Sequence, residues 1–474
     1  MTARTKSLAL VLLAAAVGSG AALAKQPPVM PKGMPAYGPD RPLPAPNIVT
    51  EKLPNGLTVW IVRRPGFPKV EATVAVRGGN ASDPADLPGV SDVLASALKE
   101  GTAKRTSRQI AEQMQAIGGT IDASAGTDAV FIDADALASG AATLVEIMAD
   151  VAQNPSFPKD EVDLVKANAL EDLKEKASRP EYAVEKALYA AVYGEHPYHV
   201  TGPTEATVEK VTPELLKADH ARRFRPDRAL LVVVGAVDPA ALEAVIGKAF
   251  GGWKATGAAP AEVPAAPPAR DARTIVVVDR PGSVQSEIRV GRPTMRPSDP
   301  DYHAMVVANT IFGGAFSSRL TDNIREDKGY TYSPGSGNIA RQHGGLLRVR
   351  AAVRTDVTAG TLLEIFYELD RMGATLPTDE ELSRAKRYQT GLYLLTNSLN
   401  NAIVRTLATS WVNGLPPTSL AEFVPKVNAV TGADVEAVGR KYMTSLTQTV
   451  AIGGDAATIV PDVAQFGTAN VVKP

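Results

Sequence analysis

The chain has 474 residues, enough for two or more domains and a sizeable core, and 45% of them are apolar, the usual share for a globular protein. With 50 basic and 51 acidic residues the net charge is −1, which gives no electrostatic case for nucleic acid or an anionic membrane as partner. The absence of cysteine excludes disulfides, thiol nucleophiles and cysteine-ligated metals, and is compatible with an oxidising compartment.

In chain order, Arg4 and Lys6 precede an apolar run from Leu8 to Val17, and Ala22-Leu23-Ala24 fits a small-residue cleavage site. The run is about ten residues, short of the roughly 20 that a membrane span needs. Residues 1–24 are therefore expected to be a signal peptide, with a mature start near Lys25 and a periplasmic destination if the source is Gram-negative. No later stretch is apolar enough to predict a membrane span. Residues 25–47 are rich in proline and read as an extended leader.

Leu57 to Val62 and Val70 to Val76 are β-branched, partly alternating runs split by Pro65-Gly66, and predict two strands. In PGVSDVLASALKEGT, residues 88–102, Pro88-Gly89 is a turn signal. Val90, Val93, Leu94, Ala97 and Leu98 then recur at helical spacing until Gly101. A second helix is expected over Thr106 to Ile117, with Ser107 as candidate cap, ended by Gly118-Gly119. Thr120 to Ala125 and Ala129 to Ala134 read as a hairpin about Gly126-Thr127-Asp128. Long helical stretches are expected near 140–153 and 158–193. Ala229 to Gly235 is a buried strand and Pro239 to Phe250 a helix behind it.

Residues 255–270 are proline and alanine without periodicity, and predict a semi-rigid linker. Beyond the linker, the second half of the chain repeats the first. Arg280-Pro281-Gly282 stands between two strands as Arg64-Pro65-Gly66 does, and Ser298-Asp299-Pro300 echoes Ser82-Asp83-Pro84. Leu362-Leu363-Glu364-Ile365 echoes Leu144-Val145-Glu146-Ile147, and Pro377-Thr378-Asp379-Glu380 echoes Pro158-Lys159-Asp160-Glu161. The expected fold is α+β: two homologous domains, 48–254 and 271–474, each an antiparallel sheet covered by helices, joined by the linker.

The duplication together with PGVSDVLASALKEGT resembles the inverted-zincin family of pitrilysin, insulin-degrading enzyme and the mitochondrial processing peptidase, over about residues 48–454. Gly118-Gly119, His196-Pro197-Tyr198, Arg225-Pro226-Asp227, Ser318-Arg319-Leu320 and Ile324-Arg325-Glu326 belong to the same resemblance. In active relatives the first helix carries His-x-x-Glu-His, two zinc ligands and a general base. The matching positions here are Asp92, Ala95 and Ser96, and the third ligand, a glutamate on a later helix, matches Asp172. No zinc site can be built from these, so no cofactor is expected in this chain. Asp92 and Asp172 suit at most weak binding of a hard cation such as calcium, and are read instead as solvated or capping acids.

In smaller members of the family, one subunit carries the zinc while a second lacks it and supplies an arginine and a tyrosine. The resemblance assigns these roles to Arg325 and Tyr332, with Tyr330 as competitor. A phenol and a guanidinium aimed at the oxyanion suit peptide hydrolysis. The residues alone, without the resemblance, favour Arg325 paired with Glu326 or Asp327 and the tyrosines packed on the sheet. Gly335 and Gly337 are expected to bind substrate as a flexible lip; the residues after them, Arg341 to Gly345, form no helix, so a dinucleotide reading fails. His196 and His199 lack a third ligand, and no Gly-x-Ser-x-Gly elbow is present.

The resemblance thus implies a non-catalytic subunit of a secreted zinc peptidase, inactive alone. Its partner would be a homologous catalytic subunit with an intact motif, and its substrates unfolded peptides. The alternative is a peptide-binding or assembly protein with no peptidase partner. A metal-independent hydrolase has no nucleophile–base pair to support it.

Overall fold

A computed structural model describes Gly33 and residues 46–473. The expected signal peptide and, apart from Gly33 and residues 46 and 47, the proline-rich leader lie outside the described residues. Residues 46–473 form one compact unit.

Its first half builds a six-stranded sheet from β1 (Ile48–Lys52), β2 (Thr58–Arg63), β3 (Lys69–Arg77), β4 (Thr120–Ala125), β5 (Ala129–Leu137) and β6 (Ala229–Gly235), ordered β1-β2-β6-β3-β5-β4. The second half builds another from β7 (Thr274–Asp279), β8 (Gln285–Pro293), β9 (Gly335–Ile339), β10 (Leu346–Arg354), β11 (Thr449–Gly454) and β12 (Ala469–Val472), ordered β12-β7-β11-β8-β10-β9. Five strands keep one order in both sheets, which is the duplication expressed as topology. The sheets are mixed rather than wholly antiparallel: β2–β6 and β7–β11 run parallel, because long helical connections separate their strands.

Helices α1 (Val90–Ala97), α2 (Ser107–Ala116), α3 (Ala141–Gln153), α4 (Lys159–Ser178), α5 (Pro180–Tyr193), α6 (Glu205–Lys210), α7 (Pro213–Arg223) and α8 (Pro239–Phe250) belong to the first half. Thr106, not Ser107, caps α2: its hydroxyl accepts the Gln109 N–H while the Gln109 side chain accepts the Thr106 N–H. The stretch expected as one helix over 158–193 is two, broken at Arg179-Pro180, because proline has no N–H to continue the ladder. The second half contributes α9 (Tyr302–Asn309), α10 (Thr358–Ala374), α11 (Asp379–Thr396), α12 (Asn400–Val412), α13 (Ser419–Ala429), α14 (Gly432–Tyr442) and α15 (Ala456–Val463). Between α9 and β9 stand two wide π-type turns, Thr310–Gly314 and Thr321–Asp327.

One face of the first sheet packs on its own helices: Val59, Ile61 and Val74 join Leu94 and Leu144 in one core. The other face is covered from the second half, where Ile403, Val404 and Leu407 of α12 pack on Trp60, Val62 and Leu230. The exchange is reciprocal. Val184, Leu188 and Val192 of α5 pack on Val278, Leu346 and Ala451 of the second sheet. Both faces of the central strands are therefore apolar, and each half lends a helix to the other's sheet. Residues 255–270 have no regular structure but are strapped down: Arg228 pairs with Glu262 at 2.8 Å, and the Ala266 N–H donates to the His343 carbonyl at 2.8 Å.

Candidate functional site

Helix α1 is seated by a buried charge network. Gly89 precedes it at φ +77°, and a β-carbon there would come within 2.0 Å of the Pro203 backbone, so only glycine fits. The Gly89 N–H donates to Asp83 Oδ2 at 2.7 Å. Asp83 in turn binds Arg223, whose fully buried guanidinium also holds Asp219 at 2.8 Å and the Gly78 and Gly79 carbonyls. Val90, Val93, Leu94, Ala95 and Ala97 are all buried, as the helical spacing requires.

The positions matched to metal ligands do not converge on a zinc site. Ala95 offers a buried methyl group. The Ser96 hydroxyl donates back to the Asp92 carbonyl of its own helix at 3.0 Å. Asp92 is neither a cap nor solvated: it is partly buried, and Asn80 Nδ2 donates to its Oδ2 at 3.0 Å. Burial pushes its carboxyl up to about 6, against the pull of the Asn80 hydrogen bond and the Lys176 charge. Asp172, on α4, is exposed. Zinc sites require imidazole, thiolate or carboxylate donors converging within about 2.0–2.3 Å of the ion. A donor set of one partly buried aspartate, an alanine, a serine and an exposed aspartate does not fit it. Among the described residues no group of three or more His, Asp or Glu is placed to hold a metal ion.

The second half brings Arg325 and Tyr332 together. Arg325 lies on the wide turn Thr321–Asp327, with its guanidinium 4.4 Å from the centre of the Tyr332 ring and 4.7 Å from that of Phe316. Its Nε also pairs with Glu326 Oε1 at 3.3 Å, so the pairing allowed by sequence and the stack with Tyr332 coexist. Tyr332 is 78% exposed and does not pack on the sheet. Tyr330 is the structural tyrosine: it packs against the second core beside Gly360, where a β-carbon would approach its ring to 3.3 Å.

Arg325, Tyr332 and Phe316 line a cleft of about 440 Å³ together with Gly313, Gly335, Gly337, Arg348 and Arg350. Gly335 and Gly337 lie on an ordered strand, β9, rather than on a flexible lip. That strand is the edge of its sheet, with β10 on one side only. Ser336 between them donates to Asn309 Oδ1 at 2.7 Å, tying the edge to the end of α9. Gly313 leaves room for this contact, since a β-carbon there would come within 2.6 Å of Ser336 Oγ. No sequence motif singled out Phe316, Arg348 or Arg350. The alternation in Leu346-Leu347-Arg348-Val349-Arg350 was a signal that one strand face carries arginines, but not that it meets Arg325.

His196 and His199 serve structure. His196 Nδ1 accepts the Tyr198 N–H at 3.1 Å, its Nε2 donates to the Pro264 carbonyl at 3.0 Å, and His199 Nδ1 donates to the His196 carbonyl.

These features define a class: a duplicated α+β chain whose two sheets are locked by exchanged helices, with a first-half helix lacking metal ligands and a second-half arginine–tyrosine cleft. Two family models match the chain. Residues 58–203 match the insulinase (peptidase family M16) model and residues 210–388 the peptidase M16 inactive domain model. The chain belongs to the M16 family, the insulinase and pitrilysin-like peptidases. It is 27% identical over 399 residues to an uncharacterized zinc protease of Mycobacterium leprae, covering 82% of this chain and 88% of the relative. It is 26% identical over 397 residues to the uncharacterized zinc protease YmxG of Bacillus subtilis, covering 82% and 94%. Among solved structures it is similar to a peptidase M16 inactive domain from Pseudomonas fluorescens, with TM-score 0.79 and 24% identity over 86% of this chain and 98% of that one. A protease from Helicobacter pylori gives TM-score 0.78 at 17% identity, over 86% and 100%.

Proposed function

We propose that this chain is the non-catalytic subunit of a secreted zinc metallopeptidase heterodimer. The partner, a homologous subunit with an intact His-x-x-Glu-His motif, supplies zinc, water and base. This chain supplies Arg325, Tyr332 and a wall of the peptide chamber. The observation that carries the reading is the pairing of Arg325 with an exposed Tyr332 in an open cleft, in a chain whose first helix has Asp92, Ala95 and Ser96 at the ligand positions. Tyr332 makes no hydrogen bond to a described residue, so its hydroxyl is free to donate to an incoming oxyanion. The unpaired edge of β9 supports peptide binding, because an extended peptide can add to it as a further strand. Tyr388, Leu392, Leu395 and Leu399 stand exposed along and just beyond α11, an apolar stripe suited to a protein neighbour.

A donor aimed at developing negative charge in a dry site is worth roughly 3 kcal/mol. In the reconstituted pair, Tyr332→Phe is therefore expected to lower turnover by about 100-fold or more. Unchanged turnover would remove Tyr332 from the mechanism. Failure of the chain to co-purify with, or to stimulate, any subunit bearing the intact motif would instead favour the peptide-binding protein without a peptidase partner.

A further inference from the structure

Resting on the reading of the cleft as a peptide site, we infer that it selects peptides bearing a carboxylate near the bound segment, and that Arg350 makes the selection. The cleft is lined by three arginines and by no aspartate or glutamate. In a chain with 50 basic and 51 acidic residues, composition does not produce such a lining.

The three guanidinium groups are not equivalent. Arg325 has Glu326 beside it and two aromatic rings against it. Arg348 is held by Glu185, which α5 of the first half brings across and which also binds Arg289 at 3.3 Å. Arg350 is exposed and has no ion pair or hydrogen bond to a described residue. It stands two residues from Arg348 on β10, so both project from one strand face, about 7 Å apart. Across the ladder, Arg350 faces Gly335 and Arg348 faces Gly337. Neither partner has a side chain, so nothing on the edge strand stands between the two charges and a peptide lying along that edge, about 10 Å from β10 and within reach of side chains extended from both. A carboxylate accepts two parallel N–H bonds from a guanidinium, and would relieve the repulsion between neighbouring arginines. The anion can come from an acidic side chain or from a peptide's C-terminus.

The test is fluorescence anisotropy with the full chain and four labelled peptides of one length: neutral with an amidated end, the same with two glutamates, the same with a free C-terminal carboxylate, and the same with two lysines. At least one carboxylate peptide is expected to bind about tenfold tighter than the neutral one, and the lysine peptide more weakly. Which carboxylate peptide gains identifies the source. Arg350→Gln should collapse the ratio of anionic to neutral affinity toward one, Arg350→Glu should favour the lysine peptide, and Arg350→Lys should retain part of the preference. Arg354→Gln, on the same strand but paired with Asp356 outside the cleft, should leave the ratio unchanged. Peptide binding without charge preference, or a preference surviving Arg350→Gln, overturns the inference and leaves the peptide site standing. Absence of binding by every peptide overturns both.

Discussion

Tyr198 donates its hydroxyl proton to Asp128 Oδ1 at 2.7 Å, and its phenol oxygen accepts the His343 N–H at 2.9 Å. Asp128 Oδ2 accepts the Gln342 N–H at 2.9 Å, so one phenol and one carboxylate join the hairpin tip of the first half to the segment after β9. Tyr198 is fully buried, and burial, reinforced by the Asp128 charge, holds its phenol above the usual range and keeps it a donor. The Arg341 guanidinium lies 4.8 Å from its ring centre. Tyr198→Phe would strip a donor from Asp128 and leave the His343 N–H without an acceptor, at about 1–3 kcal/mol. Denaturant unfolding should report that loss, and hydrogen exchange should show it concentrated at residues 126–128 and 340–343. Uniform exchange at wild-type stability would deny the seam its role.

The tyrosine pair separates stability from function. Tyr330→Ala removes a ring packed against the second core and is expected to cost about 2–3 kcal/mol. Tyr332→Ala removes an exposed ring and is expected to stay within about 0.5 kcal/mol of wild type. Thermal melts of the two variants check the contrast, and equal losses would contradict it.

Arg223 supports α1 through charge. Replacing it with methionine leaves Asp83 and Asp219 buried without their partner and two carbonyls unsatisfied, at about 3–5 kcal/mol. Asp83→Asn combined with Arg223→Met should recover part of that loss, because the worst term is the stranded carboxylate. A double-mutant cycle with no coupling would refute the network.

Asp92 sets a pH dependence. Its folded pKa, about 6, lies above its ordinary value, so the folded state holds the proton more tightly. The associated stability is fully present below about pH 4 and lost as pH rises through about 6, leaving a cost near 2–3 kcal/mol at pH 7. Asp92→Asn keeps an acceptor for Asn80 and removes that cost. The variant is expected to match wild type near pH 4 and to exceed it at pH 7, in urea titrations at both values. A constant difference across pH would exclude Asp92 as the source.

Much of this architecture was legible in the residues themselves. Period-two and period-3.6 patterns located β2, β3, the β4–β5 hairpin and α1, an unbroken apolar run marked β6, and the echoed Ser-Asp-Pro and Leu-x-Glu-Ile motifs announced the duplication, because repeated patterns of burial require repeated elements. The identities of Asp92, Ala95 and Ser96 determined that α1 lacks imidazole ligands, since a side chain either carries a donor or does not. What periodicity cannot say is which surface covers an apolar face. Val184 and Leu188 lie in a stretch that the sequence marked only as helical, and only the tertiary structure decided that α5 covers the opposite half's sheet while α12 returns the exchange. Spacing from Arg325 favoured Tyr332 over Tyr330, but it could not show that Tyr330 packs on the core while Tyr332 stays exposed, or bring Arg350 into one cleft with Arg325. Those are relations between segments far apart in the chain or without a period of their own, and they exist only once long-range packing has brought β9, β10 and the turn carrying Arg325 around one cleft.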